Sequence, residues 1–201
     1  MIWAQSLRGR AIDLVNPTPE QVDFREIADT LTGVYRWCGA AELDISVALH
    51  TLIVSDAAPE DIKPYALLHD AHEARTGDIP RPVQMALAEI AGHAYRGGNF
   101  MINGAIGIMK TRHDRAIYAA AGLEEPTPHQ CQEIKLADNI ALMTERRDFL
   151  LPPPRPWDAA LEAIRPLRRR YRHIPKPDVA IELYRRFQQY LPALQQRGVA
   201  A

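Results

Sequence analysis

Apolar side chains recur along this chain at helical spacing, and that period most restricts the fold it can adopt. Val22, Ile27, Leu31 and Val34 stand five, four and three residues apart, a stripe that opens after the Pro17–Pro19 turn and leaves at Gly39. Pro19 and Glu20 suit a helix start. Ile45 to Ala57 is strongly apolar and stops before Pro59. Asp61 to Arg75 reads as a third helix, capped by Asp61 and followed by Gly77. Val83 to Ala94 precedes a break at Gly97-Gly98, and Phe100 to Ala121 continues as helix despite Gly104 and Gly107. Thr127-Pro128 opens a long helix to about Leu150, which Pro152-Pro153-Pro154 stops because proline lacks the amide hydrogen. Trp157 to Tyr171 and Asp178 to Tyr190 complete the set, and a trace of strand alternation is confined to Ala11 to Val15. The expectation is an all-α bundle. Residues 1–151 form its core and residues 152–201 a helical extension packed on the same domain, with the triproline as the candidate boundary.

Charge narrows the partners. The 201 residues carry 24 Lys and Arg against 25 Asp and Glu, a formal net charge of −1. A grip on long nucleic acid needs a strongly basic face, so that partner is not expected; a small anionic substrate needs only a local cluster of cations. The run Arg168-Arg169-Arg170 with Arg172 reads as a solvated helix face. Cys38 and Cys131 lie far apart and in no CxxC pattern, which argues against disulfides or a thiolate zinc site and for a reducing cytoplasm. No stretch approaches the ~18 apolar residues of a membrane span, and no apolar segment follows Arg8 and Arg10 as a signal peptide requires. A cytoplasmic protein is expected.

Histidines and carboxylates then carry the chemistry. His50 lies in a helix, the His69-Asp70 pair ends an apolar helix, and Asp138 sits in the long helix. Imidazole nitrogen with carboxylate oxygen suits a divalent transition metal such as Mn, Fe, Co or Zn. Four ligands would leave positions open for water and a phosphate oxygen, as a catalytic metal needs. Glu73 follows His69 by four residues, one helical turn, where a base could orient water. Asp78 sits in the stiff loop Thr76 to Pro82, within reach of the same pocket. Lys135 precedes Asp138 by three and shares its helix face.

The order His50…His69-Asp70…Asp138 resembles the H…HD…D signature of the HD-domain phosphohydrolase superfamily. Leu67 to Pro82 is similar to the LLHDAxExxxGDIPxP segment of bacterial 5′-deoxynucleotidases and phage HD-domain dATP triphosphohydrolases. Ser46 to His50 resembles that branch's SVAEH, Thr144 to Asp148 its TERRD, and Arg36-Trp37 its Arg-Trp or Arg-Phe pair. The resemblance covers about residues 8 to 150. It implies an HD-type helical bundle around a metal, with His50, His69, Asp70 and Asp138 as ligands of Mn, Co, Zn or Fe, or of Mg. It implies Glu73 as the water-activating residue, Asp78 as a second catalytic carboxylate, Arg36 on phosphate and Trp37 beside sugar or base. Lys135 would add a phosphate contact. Leu49 departs from the branch's Glu or Gln, and Gln84 from a Lys that Arg81 would have to replace. His72 reads as structural, and His93, His113, His129 and His173 as surface residues. The expected function is hydrolysis of a deoxynucleoside monophosphate or of a dNTP such as dATP, in a homo-oligomer. A nucleotide-sensing module with little chemistry is the alternative, and an RNA-binding protein a third reading that rests on the arginine run.

Overall fold

A computed structural model describes residues 1–199, and among them helix dominates. A small antiparallel hairpin comes first, β1 (Trp3–Gln5) with β2 (Ala11–Asp13), pairing Ala4 with Ile12. The helices are α1 (Phe24–Leu31), α2 (Val47–Ala57), α3 (Lys63–Ala66), α4 (Glu73–Thr76), α5 (Arg81–Ala94), α6 (Gly98–Ala121), α7 (Pro128–Phe149), α8 (Ala159–Glu162), α9 (Lys176–Tyr190) and α10 (Pro192–Val199). Local chemistry sets several starts. Asp23 accepts from the Glu26 amide at the head of α1, and Ser46 from the Leu49 amide at the head of α2. Thr127 and Gln130 form a capping box on α7, with Pro128 in its first turn.

α2 is the centre. Every residue from Val47 to Ser55 is buried, as a helix that is apolar all round must be. It packs on α7, α9 and α1. α9 turns Val179, Leu183 and Phe187 inward, and Phe187 meets Phe24 of α1 edge-on at 5.7 Å between ring centroids. α5 and α6 pair as a hairpin in which α5 buries only Ala88.

Four elements differ from the helical period. The first helix begins at Phe24, with Pro19–Gln21 forming a separate 3₁₀ turn, and α10 is a helix the period did not predict. The segment Asp61 to Arg75 is not one α-helix. The amides of Leu68, Ala71, Glu73 and Ala74 bond three residues back, to Tyr65, Leu68, Asp70 and Ala71. Three residues per turn stack positions i and i+3, so Glu73 lies over Asp70 rather than over His69. Ala66, Leu67, Leu68 and Ala71 are all buried, a demand that one face of an α-helix does not meet.

The fourth difference is Trp157 to Tyr171, helical only over Ala159–Glu162. Pro166 interrupts it, and α7 side chains take the place of a helical ladder. Thr144 accepts from the Leu167 amide at 3.0 Å, Arg147 donates to the Leu167 and Arg169 carbonyls, and Asp148 accepts from the Tyr171 amide. The basic run therefore lies on irregular backbone, with Arg169 paired to Asp56 and Arg170 to Asp148.

Asp148 has a pH signature. Burial pulls its pKa up, but hydrogen bonds from Arg147, the Tyr171 amide and Arg170 outweigh this and hold it at about 2. A depressed carboxylate contributes stability above its unfolded pKa and loses it as pH falls toward the folded one. Asp148→Asn is expected to cost about 2 kcal/mol at pH 7. Urea unfolding should show that gap narrowing as pH drops below about 4; a gap independent of pH would contradict the assignment.

Candidate metal centre

Three elements deliver the donors. α2 brings His50, fully buried; the 3₁₀ turn after α3 brings His69 and Asp70; α7 brings Asp138. His50 Nε2 lies 3.2 Å from His69 Nε2, 3.3 Å from Asp138 Oδ1 and 3.5 Å from Asp70 Oδ2, while His69 Nε2 lies 3.1 Å from Asp70 Oδ2. Ligand atoms held at about 2.1 Å from an ion stand roughly 3.0–3.4 Å apart, depending on octahedral or tetrahedral geometry. The observed spacings are close to those of a coordination shell.

The tautomers fit as well. His69 Nδ1 donates to the Ala66 carbonyl at 2.7 Å, and His50 Nδ1 is bound to Glu145 Oε1. Both Nε2 atoms are thereby left as lone-pair donors facing one another, an arrangement that needs a cation or a proton between them. The surrounding field favours that positive charge. Burial and Arg36 push the His50 pKa down, but Glu145, Asp138 and Asp70 carry it well above the usual histidine range. Burial raises the Asp70 pKa, but His69 and His50 outweigh it and hold the carboxyl well below its usual range. Asp138 is likewise depressed, by His50, His69 and Lys135 against burial.

Behind the donors runs a buried charged chain. Glu145, fully buried, accepts from Arg36 Nε at 3.0 Å on one side and from His50 on the other. Arg36 also comes within 4.0 Å of Asp70. It sits just before Trp37 (φ 60°) and Cys38 (φ 53°), two non-glycine residues in the left-handed region. That strain is held by flanking bonds, Arg36 N to Ile45 O, Val47 N to Val34 O and Glu42 N to Phe149 O. Glu145 belongs to the Thr144–Asp148 block, although no motif marks it as a site residue. Its signal was there: it follows Asp138 by seven residues, two turns along one helix face.

The remaining residues divide. Lys135 Nζ is 2.7 Å from Asp138 Oδ2, on the shared face. Trp37 packs at 5.7 Å on Trp157, over which Arg146 lies at 4.5 Å; nothing in the motifs pointed to Trp157. Lys110 of α6, also unmarked by any motif, brings Nζ to 3.9 Å from Asp70 Oδ1. Glu73 is buried beside Asp70, and burial followed by Asp70 and Asp78 pushes its pKa up to about 9. Asp78 is raised, first by burial and against the pull of Arg36, yet forms no ion pair among the described residues. Leu49 is buried in the core. Gln84 donates to the Ile79 carbonyl at 2.6 Å, and Arg81 is exposed along a cleft between α5 and α6, so neither supplies a cation to the cluster. His113 is not a surface residue: it is fully buried, with Nε2 on the Leu14 carbonyl, because α6 packs beneath the chain leaving β2.

No family model matches the chain. It is 40% identical over 96 residues to an uncharacterized protein of Rhodobacter capsulatus, covering 43% of this chain and 49% of that protein. It is 31% identical over 130 residues to the uncharacterized protein YfdR of Escherichia coli K12, covering 65% of this chain and 62% of YfdR. The chain thus spans about half to three fifths of the curated relatives it matches. No described helix is long and apolar enough to cross a membrane. What fold and site define is a mostly helical protein whose interior His and Asp side chains could hold a metal ion.

Proposed function

We propose that this chain is a metal-dependent phosphohydrolase of the HD-domain type, acting on a small deoxynucleotide. The observation that carries the reading is the convergence of His50, His69, Asp70 and Asp138 with both imidazoles locked in the tautomer that turns Nε2 inward. The Leu67–Pro82 block supports it from the sequence. A divalent metal on these four residues would polarise the phosphate and lower the pKa of water beside it. The chain supplies the rest. Glu73 Oε2 is buried beside the donors with no hydrogen-bond partner; a bound cation would offset the burial and the Asp70 charge that hold its proton, leaving a carboxylate to orient the water. Arg36, Lys110 and Lys135 ring the acidic donors and neutralise phosphate charge. Trp37 and Trp157 offer an aromatic platform for sugar or base.

The test is a product-resolved assay of the purified chain with Mn, Co, Zn or Mg against dNMPs, dNTPs and ribonucleotides. Nucleoside and phosphate from a dNMP would make it a 5′-deoxynucleotidase; nucleoside and triphosphate from dATP would make it a triphosphohydrolase. Tight nucleotide binding without turnover under every metal would replace the enzyme with a sensor. Leu49 and Gln84 favour that second reading, since both are turned to other uses here.

Self-association belongs to the same proposal. The α5–α6 hairpin leaves Met85, Ile90, Tyr95, Phe100, Met101 and Ile108 exposed, Phe100 at 78%. So many large apolar side chains left exposed on one hairpin suit an interface between copies of the chain. Light scattering should give more than one chain per particle, and Phe100→Glu with Met101→Glu should reduce it to one. A monomeric wild type would end this part.

A further inference from the structure

The arginine run that follows Pro166 is fixed in place without being helical. Thr144, Arg147 and Asp148 at the end of α7 bind the backbone of Leu167, Arg169 and Tyr171. Tertiary packing then sets α9 beside the run. Arg169 and Arg186 of α9 both pair with Asp56 at the end of α2, Arg147 and Arg170 share Asp148, and Arg185 and Arg186 share Glu182. Three carboxylates thus serve five guanidinium groups. Arg165, Arg168 and Arg172 are exposed and form no ion pair among the described residues. A chain whose formal net charge is −1 therefore gathers a surplus of positive charge in one region of its surface.

Every one of these cations is an arginine. A guanidinium presents a rigid fork of donors that fits two phosphate oxygens at once, and it is more weakly hydrated than an ammonium group. A lipid surface is disfavoured, because Ile174, at 36%, is the one exposed large hydrophobic residue between positions 152 and 180. Base stacking is disfavoured as well. Tyr171, the aromatic residue within the run, is 7% exposed and gives its hydroxyl to Asp56 at 2.7 Å.

We infer that the arginines of residues 165–172, with those of α9, bind the phosphodiester backbone of a nucleic-acid duplex without reading its bases. Phosphate contacts hold a protein on a duplex and carry no sequence information directly. The charge surplus is local, so the affinity is modest, with Kd about 10⁻⁵ M near physiological salt. Nothing in this surface depends on the metal centre.

The probe is a fluorescein-labelled DNA duplex of mixed sequence, read by anisotropy with the full chain. An RNA duplex of the same sequence, run beside it, shows which of the two backbones the arginines suit better. The triple variant Arg165→Gln, Arg168→Gln, Arg172→Gln should bind about 10-fold more weakly or worse. It should also lower the slope of log Kd against log salt by about 2–3, as three lost phosphate contacts require. Its Tm should match the wild type, because none of the three side chains has an ion-pair partner to lose. Arg96→Gln, at an exposed arginine outside this region, should leave binding unchanged; an equal loss there would make the binding diffuse and overturn the assignment. Absence of binding to both duplexes overturns it, and so does wild-type binding by the triple variant. Displacement of the duplex by excess dAMP would put it at the metal centre, and tighter binding of the single strand would put bases in the contact; either result overturns the inference. Tighter binding of phosphatidylserine vesicles or of poly-glutamate than of the duplex would overturn it in favour of a lipid surface or an acidic protein.

Discussion

Asp70→Ala is expected to abolish hydrolysis and strip the chain of its metal. Asp70 is the anion that the cations of the centre share, with His50, His69, Arg36 and Lys110 all within 4.0 Å. Losing it removes a ligand and leaves the buried cations facing one another without their shared anion. The loss in kcat/KM should reach about 10³-fold or more, roughly 4 kcal/mol of transition-state stabilisation. Metal content and turnover are measured on the same preparation, with circular dichroism to confirm the helical fold. Asp70→Asn keeps the shape and should lose nearly as much. Wild-type metal content together with wild-type turnover would remove the centre from the mechanism.

Glu145→Gln should do its damage from outside the ligand set. Glu145 is fully buried between His50 and Arg36, and its negative charge serves both. A glutamine amide can offer His50 Nδ1 either a donor or an acceptor, so the tautomer that turns Nε2 inward is no longer enforced. Metal affinity should fall about 10–100-fold. Arg36 would also be left buried without its carboxylate, which costs on the order of 3–5 kcal/mol. For a chain of this size that is a drop in Tm of about 10 °C. Arg36→Met should cost a similar amount by stranding Glu145, and the double variant should cost less than the two single costs added. Thermal melts with and without Mn(II) give both effects. An unchanged Tm with metal affinity within a factor of two would mean that the Arg36–Glu145–His50 chain is incidental.

Much of this architecture was legible before any coordinates. The Thr127-Pro128 start, the triproline stop and the apolar periods define most helices, because each is a local interaction within a few residues. Through the family resemblance, His50, His69, Asp70 and Asp138 could be named as one set, and the fold brings those four together. Lys135 could be placed beside Asp138 because i and i+3 share a helix face.

What the sequence could not decide depends on groups far apart along the chain. An apolar run buried on several sides looks alike at 3.6 and 3.0 residues per turn, so only packing showed that Glu73 stacks on Asp70 rather than on His69. Residues 163–171 have helical composition, but their amides and carbonyls are met by Thr144, Arg147 and Asp148, about twenty residues earlier. Lys110, Trp157 and His113 sit in helices or loops with no motif, and their positions follow from how α6 and the chain after α7 lie on the core. Local hydrogen bonding and apolar period determined which segments of this protein are helical. The tertiary structure decided which polar atoms those helices bury and what must neutralise them, because that depends on neighbours the sequence does not place side by side.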